Sequence, residues 1–280
     1  MTGPARLALS NIAWAPEDEP AAAALLAARG VTAVEVAPTS RWPDPRRSTA
    51  AQRRAWRDWW GEQGIEIVAM QALLFGRDDL QLFGPAAGRR ELLDYLAEVL
   101  AVGADLGARV AVFGAPKNRR LQGTPPAEAE RIAVEFFREL AERALATGVL
   151  VGLEANPTGY GCDFITTSAE ARALVQLVDR PGLVLHLDLG GMTLAGEDLP
   201  SAIGACSGMI RHVHVSEPGL APLGTGATAH AAAAAALRQA RYGGVLSVEM
   251  RRPPPGESDR LSALRRALDV LQSVYGADAA

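Results

Sequence analysis

Glu154, Asp188, His214 and Glu249 stand at or near the ends of four short apolar runs, VLVGLE, LVLHLD, RHVHV and VLSVE. They lie 34, 26 and 35 residues apart, each step about one strand plus one helix. Three carboxylates and an imidazole are oxygen and nitrogen donors suited to a divalent ion, Mn²⁺ first, with Mg²⁺, Co²⁺ or Zn²⁺ as alternatives. Any one of them alone reads as a strand-end polar residue or a loop cap. Four in register converge only if the strands lie parallel and curl into a barrel. Its C-terminal mouth is then where the chemistry belongs.

The elements that must position them repeat along the chain. Apolar runs at 6–11, 31–36, 65–70, 108–114, 149–154, 183–188, 210–215 and 245–250 read as eight strands. Helical stretches are predicted at 19–28, 49–63, 85–104, 126–146, 168–178, 228–240 and 258–275, the last starting at Ser258 and Asp259. Strands alternating with helices imply parallel pairing and right-handed crossovers. Strands that are apolar throughout fit a sheet covered on both faces. The glycine-bearing joints ARG (28–30), EQG (62–64), ATG (146–148) and YGG (242–244) read as helix C-caps. The fold class is therefore α/β, a single eight-stranded parallel (β/α)8 TIM barrel, and the whole chain, 1–280, reads as one domain.

Composition narrows the function. At 49% hydrophobic residues the chain can bury a large core, and a net charge of −4 without a basic run gives no reason to expect nucleic acid. The start is cut by Ser10 and Asn11 and does not read as a secretion signal. No stretch approaches the ~18 apolar residues that would cross a membrane. Cys162 and Cys206 form no disulfide pattern, so the cytoplasm is the expected location. The G-x-G at Gly224–Gly226 lacks the rest of a dinucleotide fingerprint.

Further candidates surround the four. Lys117 is the only lysine among 28 basic residues and lies in FGAPKNRR, ahead of Arg119 and Arg120. A compact ammonium where every other base is arginine is expected to reach the mouth and hold an anionic or hydroxyl-rich part of the substrate. Arg251 shares the face of Glu249. Glu35 has the register of the mouth, and Asn156 and Glu217 are expected to line it, with Asn11, Trp14 and Gln71 as weaker candidates. His186 and His212 lie two residues before Asp188 and His214, so they point inward one layer deeper. Both read as hydrogen-bonded core histidines, His186 also as a substrate contact and His212 as the alternative ligand to His214. His230, at a helix start, is expected in solvent. Tyr160 and Asp163 read as loop caps. Trp56, Trp59 and Trp60 at i, i+3, i+4 read as helix packing on the barrel, or as a contact in a homo-oligomer.

The segments LSNIAW (9–14), VEVAPT (34–39), VFGAPKNR (112–119), LEANPTGYGCDF (153–164), LHLDLGGM (185–192), HVHVSEP (212–218) and SVEM (247–250) resemble the xylose isomerase-like TIM barrels, the sugar phosphate isomerases and epimerases. In that superfamily a Glu after strand five, an Asp after strand six, a His after strand seven and a Glu after strand eight hold one divalent metal. The resemblance carries those roles to Glu154, Asp188, His214 and Glu249, and, from the ketose epimerases, the acid/base pair to Glu154 and Glu249. The chain departs from the epimerases at Gly191, where they carry a substrate-binding His, and in SEPGLAPLGTG (216–226), which replaces an arginine-bearing loop. Its sugar recognition therefore differs from theirs.

These readings together predict a metal-dependent isomerase or epimerase of a carbohydrate-like small molecule. The reaction is proton transfer beside a carbonyl through a stabilised enediolate. The alternatives are a metal-dependent lyase or dehydratase, which starts with the same proton abstraction, and a non-catalytic sugar-binding barrel.

Overall fold

The structure of the protein is a computed structural model that describes residues 3–252 and 261–276. The strands are β1 (Arg6–Ser10), β2 (Ala33–Val36), β3 (Glu66–Met70), β4 (Val110–Phe113), β5 (Leu150–Glu154), β6 (Leu183–Asp188), β7 (Ile210–Ser216) and β8 (Val245–Glu249). Each pairs in parallel with the next, and β8 returns to β1 with Arg6 opposite Val245 and Leu9 opposite Val248. The eight strands form a closed barrel. Closure leaves no free sheet edge and brings all eight strand ends to one rim.

The helices α1 (Glu19–Ala28), α2 (Ala50–Glu62), α3 (Ala86–Leu106), α4 (Pro126–Thr147), α5 (Ser168–Val178), α6 (Leu189–Leu194), α7 (Leu199–Ala205), α8 (His230–Gln239) and α9 (Ser262–Tyr275) cover the outside. Local chemistry sets their ends. Thr49 and Gln52 form a reciprocal capping box at the start of α2. Gly148, at φ 75°, ends α4 in the left-handed turn that favours glycine. Before β8 that turn falls on Arg241, at φ 51°, and not on the Gly243–Gly244 pair that the sequence suggests. The helix start expected at Ser258 and Asp259 lies outside the described residues. Helices α6 and α7 occupy the β6–β7 connection, for which the sequence predicts no helix.

Between the two layers lies one apolar cluster that runs from Leu9 to Tyr275. Trp56 and Trp60 are buried in it, and the Trp56 indole N–H donates to Glu19 Oε2 at 3.0 Å, as helix packing requires. Cys162 and Cys206 are free thiols, both buried. Among the described residues no helix is long and apolar enough to cross a membrane.

Candidate metal centre

Asp188 and Glu249 close β6 and β8, and His214 lies two residues from the end of β7. Strand pairing sets Asp188 opposite His214 and Ser216 opposite Glu249, so three adjacent strands deliver their polar ends together. One donor atom from each of Asp188, His214 and Glu249 lies within 4.8 Å of the others. Glu154, at the end of β5, stands beside this trio and is not one of its close members. Its Oε2 is seated against Gly114, where an added Cβ would lie 2.2 Å away. Asn156 shares that corner, is buried, and has an amide nitrogen with no hydrogen-bond partner among the described residues.

Asp188 is held firmly. Its Oδ2 accepts from the Gly191 N–H at 3.0 Å, which makes Asp188 the N-cap of α6. Its Oδ1 accepts from the Ser216 hydroxyl, and Ser216 Oγ accepts in turn from the Gly190 N–H at 2.8 Å. Ser216 escaped the sequence reading, although its period-two spacing from His214 marks the same face.

Beneath the trio lies a second layer. Glu35, on β2, is fully buried and accepts from His214 Nε2 at 3.0 and 3.1 Å. His212 Nε2 faces the same carboxylate at 3.7 Å, and His212 Nδ1 meets His186 Nδ1 at 3.1 Å. Glu35 and His186 thus lie in the layer below the trio, His186 held through Nδ1 while its Nε2 has no hydrogen-bond partner among the described residues. His214 Nδ1 is different. It is buried and lies 3.1 Å from Glu249 Oε2, without the alignment of a hydrogen bond.

The charges are strained by burial. Burial, then the nearby Asp188 and Glu249, push Glu154 up to about 8. Burial and Glu249 push Asp188 up to about 6. For His214, burial opposes the charge, but Glu249 and Glu35 outweigh it and hold the ring well above the usual range. Burial would also raise Glu35, yet His214 and His212 hold it at about 2. Burial and the neighbouring rings keep His186 well below its usual value. Acidic groups crowded until they retain protons, beside an unpartnered ring nitrogen, are a donor set suited to a divalent cation.

Several expected contacts fall elsewhere. Lys117 does not reach the trio: its side chain is 71% exposed and pairs with Asp78 at 3.3 Å. The lone lysine is a solvent-facing loop charge. The buried base of that loop is Arg119, fully enclosed, with no hydrogen-bond partner for its guanidinium among the described residues. Arg251 is exposed, and its backbone N–H donates to the Leu220 carbonyl at 2.9 Å. Glu217 is buried and turned into its own loop, accepting from the N–H groups of Gly224 at 3.0 Å and Thr228 at 3.1 Å. His230 is buried and not solvated, between Glu217 at 3.1 Å and the Tyr275 hydroxyl at 2.8 Å. Tyr160 and Asp163 tie separate loops together: the Tyr160 hydroxyl accepts from the Gly219 N–H at 2.8 Å and Asp163 from the Leu121 N–H at 2.7 Å. The Asn11 amide is engaged with Ala37 and Ser40, and Trp14 is packed near Trp60.

A family model described as xylose isomerase-like TIM barrel matches residues 23–274. The chain belongs to that family. Within it, this barrel is 31% identical over 126 residues to the L-ribulose 3-epimerase of Methylomonas sp. (strain DH-1), a match covering 44% of each chain. It is 26% identical over 252 residues to a putative hydroxypyruvate isomerase of Streptomyces coelicolor, covering 86% of each. The epimerase match thus spans a little under half the length of that relative. Among solved structures, a D-psicose 3-epimerase crystallised in the presence of D-fructose superposes with a TM-score of 0.81 at 18% identity, over 97% of this chain and 99% of that one. This likeness is one of fold.

Proposed function

We propose that this xylose isomerase-like barrel is a divalent-metal-dependent isomerase or epimerase of a sugar or related keto acid. Asp188, His214, Glu249 and Glu154 hold the ion, and proton transfer beside the substrate carbonyl is the reaction. The observation that carries this reading is the meeting of Asp188, His214 and Glu249 donor atoms within 4.8 Å at the C-terminal rim. The buried His214 Nδ1 supports it: it lies 3.1 Å from Glu249 Oε2 without an aligned hydrogen bond, on the side of the ring where a cation would replace its proton. A divalent ion bound there would polarise the carbonyl and lower the barrier to removing the neighbouring proton.

The acid and base are assigned to Glu154 and Glu249. They rise from β5 and β8, with β6 and β7 between them, and so approach a substrate over the trio from two sides. Gly114 lets Glu154 lie close against the rim, where any side chain would displace it. The Glu249 side chain is partly exposed and within reach of a substrate proton. Asn156, with an unpartnered amide nitrogen, supplies a donor for a substrate oxygen.

The names of the relatives set the substrate panel: ketopentoses and ketohexoses from the epimerases, hydroxypyruvate from the relative that matches most of the chain. The test is incubation of the Mn²⁺-loaded protein with that panel in D₂O. Deuterium entering the carbon next to the carbonyl, with an isomeric product, is expected. Loss of water from the substrate would favour the lyase reading. Metal-loaded protein that exchanges no proton in any member would overturn both.

A further inference from the structure

The second layer has a task of its own. Glu35 offers two carboxyl oxygens to one ring nitrogen, and a carboxylate can only accept hydrogen bonds. Both its oxygens lie 3.0–3.1 Å from His214 Nε2, and the same group faces His212 Nε2 at 3.7 Å. Whatever charge the His214 ring carries, the nitrogen facing Glu35 must keep its hydrogen. A neutral ring then has one place for its lone pair, Nδ1, which points at Asp188 and Glu249. His212 is removed from competition by the same arrangement. Its Nδ1 faces His186 and its Nε2 faces Glu35.

We infer that Glu35 is a positioning residue that fixes the tautomer and orientation of His214, so that Nδ1 and not Nε2 meets the metal. The inference rests on the metal-centre reading above and adds the residue that makes the imidazole a ligand. It also gives Glu35 a reason to be carboxylate. β2 is separated from β8 by β1 alone and lies opposite β6 in the closed ring, and Glu35 is the only acidic residue that the strand contributes. An acceptor of this kind behind a metal-bound histidine typically changes metal affinity by 10- to 100-fold.

Two measurements decide. In the first, Glu35→Gln keeps the shape of the side chain but replaces one acceptor oxygen with a donor. Co²⁺ binding, followed by titration and by the visible spectrum of the bound ion, is expected to weaken by about 10- to 100-fold. The far-UV circular dichroism should be retained. In the second, wild-type protein labelled with ¹⁵N-histidine is loaded with Zn²⁺, and the ring nitrogens of its four histidines are read by NMR. One ring is expected to lose its Nδ1 proton to the metal and keep a proton on Nε2. This experiment needs no variant, so it stands even if Glu35→Gln fails to fold. Wild-type protein that binds neither ion would overturn the metal-centre reading and this inference with it. Wild-type binding with an unchanged Glu35→Gln, or a metal-bound Nε2, would overturn this inference alone.

Discussion

The two halves of the barrel end differently. β2, β3 and β4 finish on Val36, Met70 and Phe113, and β1 on Ser10, whose hydroxyl accepts from the Gln71 amide at 2.9 Å. β5, β6, β7 and β8 finish on Glu154, Asp188, Ser216 and Glu249. One half packs and the other half carries charge. The packed half still reaches the charged one through a single inward carboxylate, Glu35. A closed ring of strands allows this separation: stability and chemistry share a scaffold, yet each side can be altered with the other left standing.

The largest effect should come from the charged half. Glu249→Gln keeps the size of the side chain but cannot accept a proton, and turnover should fall by about 10²–10⁴-fold with the thermal unfolding midpoint nearly unchanged. Steady-state kinetics and solvent-deuterium exchange check it, and near-normal turnover would dissolve the contrast between the halves. The mirror-image experiment is Phe113→Ala. Phe113 is fully buried, edge-on to Phe137 at 5.3 Å. Its loss should lower stability by about 3–5 kcal/mol in urea unfolding while metal affinity stays within twofold below the transition.

A smaller effect concerns pH. A cation needs its carboxylates ionised, and Glu154 at about 8 and Asp188 at about 6 are raised from 4.5 and 3.8. Metal binding should therefore release protons, from these carboxyls and from the His214 ring, and affinity should rise between pH 6 and 8 by about tenfold per pH unit for each proton released. Calorimetry in buffers of different ionisation enthalpy reads the proton count. For the metal-free fold the sign reverses. A carboxyl group raised on folding stabilises the native state while protonated, so its contribution is present below 4.5 and lost as pH climbs through 8. Affinity flat between pH 6 and 8 would contradict this. The smallest effect is expected at Lys117→Ala. An exposed pair with Asp78 contributes little, so stability should shift by less than about 0.5 kcal/mol and KM should not move.

The contrast between halves was legible in the sequence, because near-continuous apolar runs ending in Glu, Asp or His need no tertiary information. Depth was harder to read. Glu35 has the inward register, but it sits one residue before the end of β2, which puts it beneath the mouth. The connection after β6 was missed because Gly190 and Gly191 weaken any helical pattern, and α6 starts only because Asp188 caps it. Glu217 and His230 were misplaced for a related reason. A loop rich in Gly and Pro carries no periodicity, so nothing local shows that it folds around its own carboxylate. Lys117 faces solvent despite being the lone lysine, because composition says nothing about which way a loop side chain points.

The bond from His230 to the Tyr275 hydroxyl joins residues 45 apart in sequence. During synthesis at about 5–20 residues per second, Tyr275 follows His230 by several seconds. In that interval β8 has been made, but the helix that anchors the loop beside Asp188 has not. The rim is therefore completed late, after the strands that feed it, and a nascent chain stalled before α9 would present its acidic mouth with one wall still unbraced.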